Sequence, residues 1–111
     1  MRAKALVALQ QLEQQIVVDV DNASGQVITS RERITSTREA RRLARETLDA
    51  GEARLRAGGS TTFEVLELQK KLTESEAAVL RAEADYNKAI GEYYRQTGTA
   101  LRVHNVVLGG N

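Results

Sequence analysis

Side chains that can do chemistry are present in this chain, but they form no pattern that predicts a reaction. Serine, aspartate and glutamate occur throughout, His104 is the single histidine, and cysteine is absent. A nucleophilic site needs a serine or cysteine beside a base, held in a concave pocket. The sequence has no recognisable nucleophile motif, so we expect no enzymatic activity.

A metal or cofactor site is also not predicted. His104 has no cysteine and no second histidine with which to share a metal ion. Zinc and similar metals are bound by several such ligands at once. We therefore interpret His104 as a tail residue and expect no metal and no cofactor.

A cluster of arginines in the middle of the chain raises the question of nucleic-acid binding. Five acidic residues are interleaved with it, and no aromatic residue is available there to stack on bases. The pattern favours a solvated helical face and no nucleic-acid partner. The cluster consists of Arg31, Arg33, Arg38, Arg41, Arg42, Arg45, Arg54 and Arg56, and the acids are Glu32, Glu39, Glu46, Asp49 and Glu52.

Composition predicts which elements must carry these residues. The chain has 111 residues, no proline, 4% aromatic residues and a net charge of +1. Abundant Ala, Glu, Arg, Leu and Gln favour long helices in one structural unit. The beginning does not resemble a signal peptide. No stretch approaches the roughly 20 apolar residues of a membrane span, so we expect a soluble chain. A fragment of a membrane-associated protein fits the same expectation.

A first heptad seam runs along the N-terminal half. Arg41 falls on it, and its long stem can cover apolar surface. Gly25 and Gly51 indicate close packing, a bend or simple tolerance, and the sequence does not separate these. The seam consists of Ala5, Leu9, Leu12, Ile16, Val20, Ala23, Val27, Ser30, Ile34, Thr37, Ala44, Leu48, Gly51 and Leu55.

The second half carries a more regular seam with a further stripe beside it, so this helix offers two adjacent contact faces. The seam consists of Val65, Leu68, Leu72, Ser75, Val79, Ala82, Tyr86, Ala89 and Tyr93. The second stripe consists of Leu66, Thr73, Ala77, Leu80, Ala84 and Gly91.

A short glycine-containing stretch separates the two seams. Either Gly58 or Gly59 can take the left-handed conformation that ends a helix, and Thr61 with Glu64 forms a capping-box pattern. The sequence therefore predicts an all-α chain, a long antiparallel coiled-coil helical hairpin. Its predicted parts are a helix over 3–57, a tip over 58–61, a helix over 62–97 and an irregular tail over 98–111. The first helix is then left with apolar surface that the second cannot cover.

The order of several short motifs resembles the second helical repeat of the TolC-like outer-membrane efflux proteins. The resemblance covers roughly residues 9 to 101. Its motifs are the glycine turn at Gly58 or Gly59, Thr61, Glu64-Val65-Leu66-Glu67, Tyr86-Asn87 and Gly98-Thr99-Ala100-Leu101.

This resemblance implies a piece of a periplasmic α-barrel. The full-length protein would be a homotrimeric outer-membrane channel for tripartite efflux or type I secretion. Each chain would supply two hairpins to the tunnel. The partners would be a periplasmic adaptor (membrane fusion) protein and, through it, an inner-membrane pump.

The resemblance also implies two sets of functional residues. Glu64 and Glu67 align with acidic residues that ring the narrow periplasmic end of the tunnel, although the family has Asp at these positions. Both acids also suit the first turn of a helix, where they complement its dipole. The implied adaptor-docking tip consists of Ala57, Gly58, Gly59, Ser60, Thr61 and Thr62, which an ordinary helix-ending turn explains equally well.

Two alternatives come from other classes of protein. Periodicity alone fits a structural coiled-coil hairpin that assembles into a helical bundle. The hairpin of an adaptor protein is a third interpretation, which the acidic-Val-Leu-acidic entry to the second helix fits less well.

Overall fold

The computed structural model describes residues 2–109, and these residues form two long helices joined by a short turn. Helix α1 spans Arg2–Arg56 and helix α2 spans Thr62–Gly109, and no strand occurs in this range. The predicted all-α class is confirmed. Absence of proline allows both helices to continue through their interior glycines, each of which costs about 1 kcal/mol relative to alanine.

The helices contribute to two compact units, which we describe separately. The tip unit, Ser30–Tyr86, contains the turn together with the adjoining part of each helix. The terminal unit contains the described residues of Met1–Thr29 and Asn87–Asn111.

In the tip unit, the predicted seams form the interface between the helices. Val79 is 2% exposed, and Leu48, Val65 and Ala82 are also buried. Every predicted seam residue of this unit is buried or half-buried, including Arg41. A two-helix hairpin therefore buries one narrow stripe from each helix.

Small residues allow the two helices of the tip unit to approach closely. Gly51 is buried, and a Cβ atom at this position would collide with Cδ1 of Leu68. Gly25, in contrast, is exposed, and a Cβ there would meet nothing within 4 Å. Of the explanations that the sequence left open, close packing applies to Gly51 and simple tolerance applies to Gly25.

In the terminal unit, the seam is buried over only part of its predicted length. Ala23 and Ala89 are buried, and Ile16 and Val20 are half-buried. The three preceding seam positions, Ala5, Leu9 and Leu12, are exposed, as expected for apolar surface of the first helix that the second helix does not cover. Periodicity marks the face of a helix but does not tell how far a partner covers it.

The predicted irregular tail from residue 98 is wrong, because α2 continues to Gly109. Gly98 carries only the modest helix penalty of glycine. Packing outweighs that penalty, since Ala100 and Val103 line a groove together with Ile16 and Val20 of α1. Residues 110 and 111 lie outside the described range. The helices, at 55 and 48 residues, are closer in length than predicted.

We predict opposite effects from filling the two glycines. Gly25→Ala should raise the free energy of unfolding by about 1 kcal/mol, because alanine is the better helix former. Gly51→Val should lower it by about 1–3 kcal/mol, because the added atoms overpack the contact with Leu68. Urea unfolding followed by circular dichroism measures both. Equal effects of the two substitutions would contradict the close contact at Gly51.

Candidate functional site: the tip of the hairpin

The turn between the helices is a Schellman motif built around Gly58. The Gly59 amide donates to the Arg54 carbonyl at 2.8 Å, and the Gly58 amide donates to the Leu55 carbonyl at 3.1 Å. These are the two hydrogen bonds that define the motif. Gly58 has φ of +81° and is the residue in the left-handed conformation, so the structure selects between the two predicted glycines.

Gly59 has a different role from Gly58. A Cβ atom at Gly59 would lie 3.7 Å from the Arg54 carbonyl oxygen, which is ordinary van der Waals contact, and its φ is not positive. The backbone therefore does not require glycine at this position. Absence of a side chain at Gly59 instead leaves the polypeptide backbone of the turn accessible.

Helix α2 begins with the predicted cap. The Glu64 amide donates to Thr61 Oγ1 at 3.2 Å, and the Val65 amide donates to the Thr61 carbonyl at 3.2 Å. The Glu64 carboxylate accepts a hydrogen bond from the Ser60 hydroxyl at 2.6 Å. A capping box would instead direct this carboxylate to the amide of the cap residue. Ser60 therefore links the turn to the first turn of α2.

The two predicted gate residues are in different environments. Glu64 is engaged in the cap through both its amide and its carboxylate. Glu67 is exposed, and no hydrogen bond or ion pair to its carboxylate occurs among the described residues. Of the two acids, Glu67 has the carboxylate that is available to an ion or a partner.

Most of the predicted docking residues are accessible. Ala57, Gly58, Gly59, Thr61 and Thr62 are exposed, whereas Ser60 is half-buried. The turn brings all six together within a few residues of Glu64 and Glu67.

Phe63 was missed by the sequence reasoning. This side chain is 71% exposed in the first turn of α2, and Leu66, one turn further on, is 55% exposed. One signal was available, because Phe63 is the only phenylalanine of the chain and directly follows the turn. Together the two side chains form an apolar patch beside the glycine turn, which we call the tip patch.

Among the described residues, four of the eight arginines of the cluster pair with carboxylates, three of them with α2 and one within α1. Arg33 lies 3.5 Å from Asp85, Arg38 lies 3.1 Å from Glu83, and Arg45 lies 3.5 Å from Glu76. As the residue number rises along α1, the number of its partner on α2 falls. These side chains are 38–62% exposed to solvent, so each pair contributes little stability. The sequence predicted a solvated face but not these partners, which depend on the alignment of the two helices.

Arg42 is paired within its own helix. It hydrogen-bonds to Glu39, and its Nη1 lies 2.6 Å from Glu46 Oε1. The hydrogen bond from Arg42 holds the pKa of the Glu39 carboxyl below its ordinary value, and the same pairing raises the pKa of Arg42. Glu39 and Glu46 thus compensate the positive charge of Arg42 within α1.

His104 belongs to the terminal unit. It is exposed at a groove of about 550 Å³ that Glu13, Tyr93 and Leu101 also line. No group of three or more histidine, cysteine or acidic side chains able to hold a metal ion occurs in residues 2–109. No helix within this range is long and apolar enough to cross a membrane.

Comparisons of the chain with protein-family models, with curated proteins and with solved structures found no match. The chemistry of the tip is therefore inferred from its own geometry. It offers an accessible backbone, an apolar patch and one available carboxylate, which are features suited to binding.

We predict that the two glycines of the turn differ in their tolerance of a side chain. Gly58→Ala should lower the free energy of unfolding by about 1–2 kcal/mol, because the left-handed conformation crowds a Cβ atom. Gly59→Ala should leave it within about 0.5 kcal/mol of the parent value, as for an unconstrained surface position. Thermal and urea unfolding of both variants test this. A larger loss at Gly59 than at Gly58 would contradict the Schellman geometry.

Proposed function

We propose that this chain is a periplasmic tunnel segment of a TolC-like outer-membrane channel for tripartite efflux or type I secretion. Its tip docks a periplasmic adaptor protein, which connects the channel to an inner-membrane pump. The observation that carries the proposal is the tip itself. There a glycine-closed turn leaves its backbone accessible between two long helices, next to an exposed apolar patch and the Glu67 carboxylate.

The pairing of the helices in the tip unit supports an antiparallel coiled coil. The arginine pairs match rising residue numbers on α1 with falling numbers on α2. The buried seam residues step by threes and fours, which is the spacing of a coiled-coil interface.

The second stripe of α2 supports a place in a larger wall of helices. Leu80 is 68% exposed and Leu66 is 55% exposed. Ala84, which belongs to the same stripe, is also exposed. A helix with one covered and one uncovered stripe has room for a second neighbour. In a trimeric α-barrel, that neighbour is a helix of an adjacent hairpin.

Docking at the tip gives the tunnel segment its specificity. Close approach of a partner helix requires that no side chain stands over the turn, and Gly59 satisfies this without being needed for the fold. Phe63 and Leu66 supply apolar contact area, which stabilises association when it is removed from water.

We expect Gly59→Leu to weaken adaptor binding by at least tenfold while leaving the helix content unchanged. The leucine would stand over the exposed backbone, whereas the turn itself tolerates a Cβ atom there. Binding to a purified adaptor is measured by surface plasmon resonance, with the trimeric channel that carries this segment as the immobilised protein. Gly25→Leu, at an exposed glycine within α1, is the control.

Unchanged binding by the Gly59→Leu channel would refute the docking assignment. The alternative function, a structural hairpin that assembles into a helical bundle, is separated by sedimentation equilibrium of the chain alone. A stable, salt-insensitive assembly with an even number of copies would favour the bundle over a segment of a barrel wall.

Glu67 is a better gate candidate than Glu64, because Glu64 takes part in the helix cap and Glu67 does not. A substitution of Glu67 therefore tests the gate without disturbing the cap. In the channel, Glu67→Gln should reduce the preference for cations by roughly fivefold, which corresponds to about 1 kcal/mol for one charge at close range in water. Glu74→Gln, one heptad further along α2, should leave selectivity unchanged. Reversal potentials of single channels in a salt gradient measure this, and equal effects of both substitutions would exclude Glu67 as the selective residue.

A further inference from the structure

The outer face of α2 in the terminal unit carries two parallel columns of exposed side chains. One column is apolar, with Tyr94 at 70% and Leu101 at 60% exposure, one heptad apart. The other is basic and contains Lys88, Arg95 and Arg102, also one heptad apart and all exposed. Residues seven apart lie on the same side of a helix, so each column is a continuous line.

Small residues separate the two columns. Gly91 and Gly98 lie between them on the helical surface, and a Cβ atom at either glycine would meet nothing within 4 Å. No bulky side chain therefore divides the apolar column from the basic one, and the two form a single face. We call this face the Tyr94 face.

The Tyr94 face has a net positive charge. Glu92 is the one acidic residue in the stretch 87–111, and it pairs with Arg95 at 2.7 Å. Lys88 and Arg102 form no ion pair within the part of the chain that the structure describes. Two positive charges thus remain available beside an exposed tyrosine and leucine.

The rest of the terminal unit is also unusually apolar at its surface. Its α1 part exposes several large aliphatic side chains over three helical turns and beyond, and α2 adds Val106 at 71% exposure. These α1 side chains point to several sides of their helix, and their exposure makes contact with an apolar layer favourable. The aliphatic residues of α1 are Leu6, Val7, Leu9, Leu12, Val17 and Val18.

We propose that the Tyr94 face binds the surface of a membrane that contains anionic lipids. Tyrosine prefers the boundary between headgroups and acyl chains, where its ring is apolar and its hydroxyl remains wet. Lysine and arginine beside it lay their apolar stems along the acyl boundary and extend their charges to the phosphates.

The composition of the face favours lipid over nucleic acid. Stacking on bases requires several aromatic side chains along a groove, whereas Tyr94 is the one aromatic residue of this face and Leu101 has no ring. Aliphatic surface on the same unit suits an acyl layer and has no counterpart in a phosphate backbone. These residues differ from those of the tip, and only Gly91 also belongs to the second stripe of α2, so docking at the tip and lipid binding can each fail without the other.

A single tryptophan reports membrane contact directly, because the chain has no tryptophan of its own. Tyr94→Trp should show a blue-shifted emission with vesicles of phosphatidylglycerol and phosphatidylcholine, and no shift with phosphatidylcholine alone. Leu43→Trp is the matched control, since Leu43 is 50% exposed on α1 in the tip unit and also lies next to a basic residue, Arg42. It should show no shift with either kind of vesicle.

Charge neutralisation tests the basic column. In the Tyr94→Trp background, Lys88→Gln with Arg102→Gln should weaken binding to the anionic vesicles about 30-fold. Each lysine or arginine near an anionic surface contributes about 1 kcal/mol of attraction, and the two contributions multiply in the binding constant. Arg81→Gln should change it less than twofold. Circular dichroism of each variant verifies that the helices are intact. The charge-conserving variant Lys88→Arg with Arg102→Lys should bind the anionic vesicles as tightly as the parent.

Several outcomes would overturn the proposal. The first is an equal shift in Leu43→Trp, the second is binding that does not distinguish anionic from neutral vesicles, and the third is the absence of any shift of Tyr94→Trp with either kind of vesicle. A response of Tyr94→Trp to double-stranded DNA or to polyglutamate as strong as that to the anionic vesicles would assign the face to a polyanion instead.

Discussion

The left-handed backbone at Gly58 is the constraint on which the tip unit depends. Two helices of this length can pack on each other only if the chain reverses within a few residues, and the Schellman hydrogen bonds from Gly58 and Gly59 accomplish that reversal. The position of the turn determines which residues of α1 face which residues of α2. A shift of one residue would separate Gly51 from Leu68 and Arg38 from Glu83.

Stability and function place different demands on the same short segment. Gly58, Thr61 and Glu64 are occupied in ending one helix and starting the next. Phe63 and Glu67 have no such duty in the structure, and at Gly59 only the backbone amide takes part in the turn, so all three positions present accessible groups that the fold does not use. The groups that are available for the proposed binding therefore lie at positions whose side chains the fold does not require, which allows stability and binding to be altered independently.

The surfaces of the two units differ in chemistry. Ion pairs between the helices keep the tip unit polar on its flanks, and its apolar exposure is concentrated near the turn and on the second stripe of α2. The terminal unit instead exposes leucine, valine and tyrosine with few charges among them. Since exposed apolar surface is unfavourable in water, this unit is the part of the described chain with most to gain from a partner.

The sequence by itself determined the helical class, the face that each helix buries in the tip unit and the cap at Thr61. All of these follow from contacts within about four residues, which spacing and side-chain type encode directly. The tertiary structure decided which glycine is left-handed, why Gly51 is a glycine, which carboxylates pair with the arginines, and how α2 continues past Gly98. These features depend on how one helix is aligned with the other, and that alignment is a property of the folded turn that no local pattern contains.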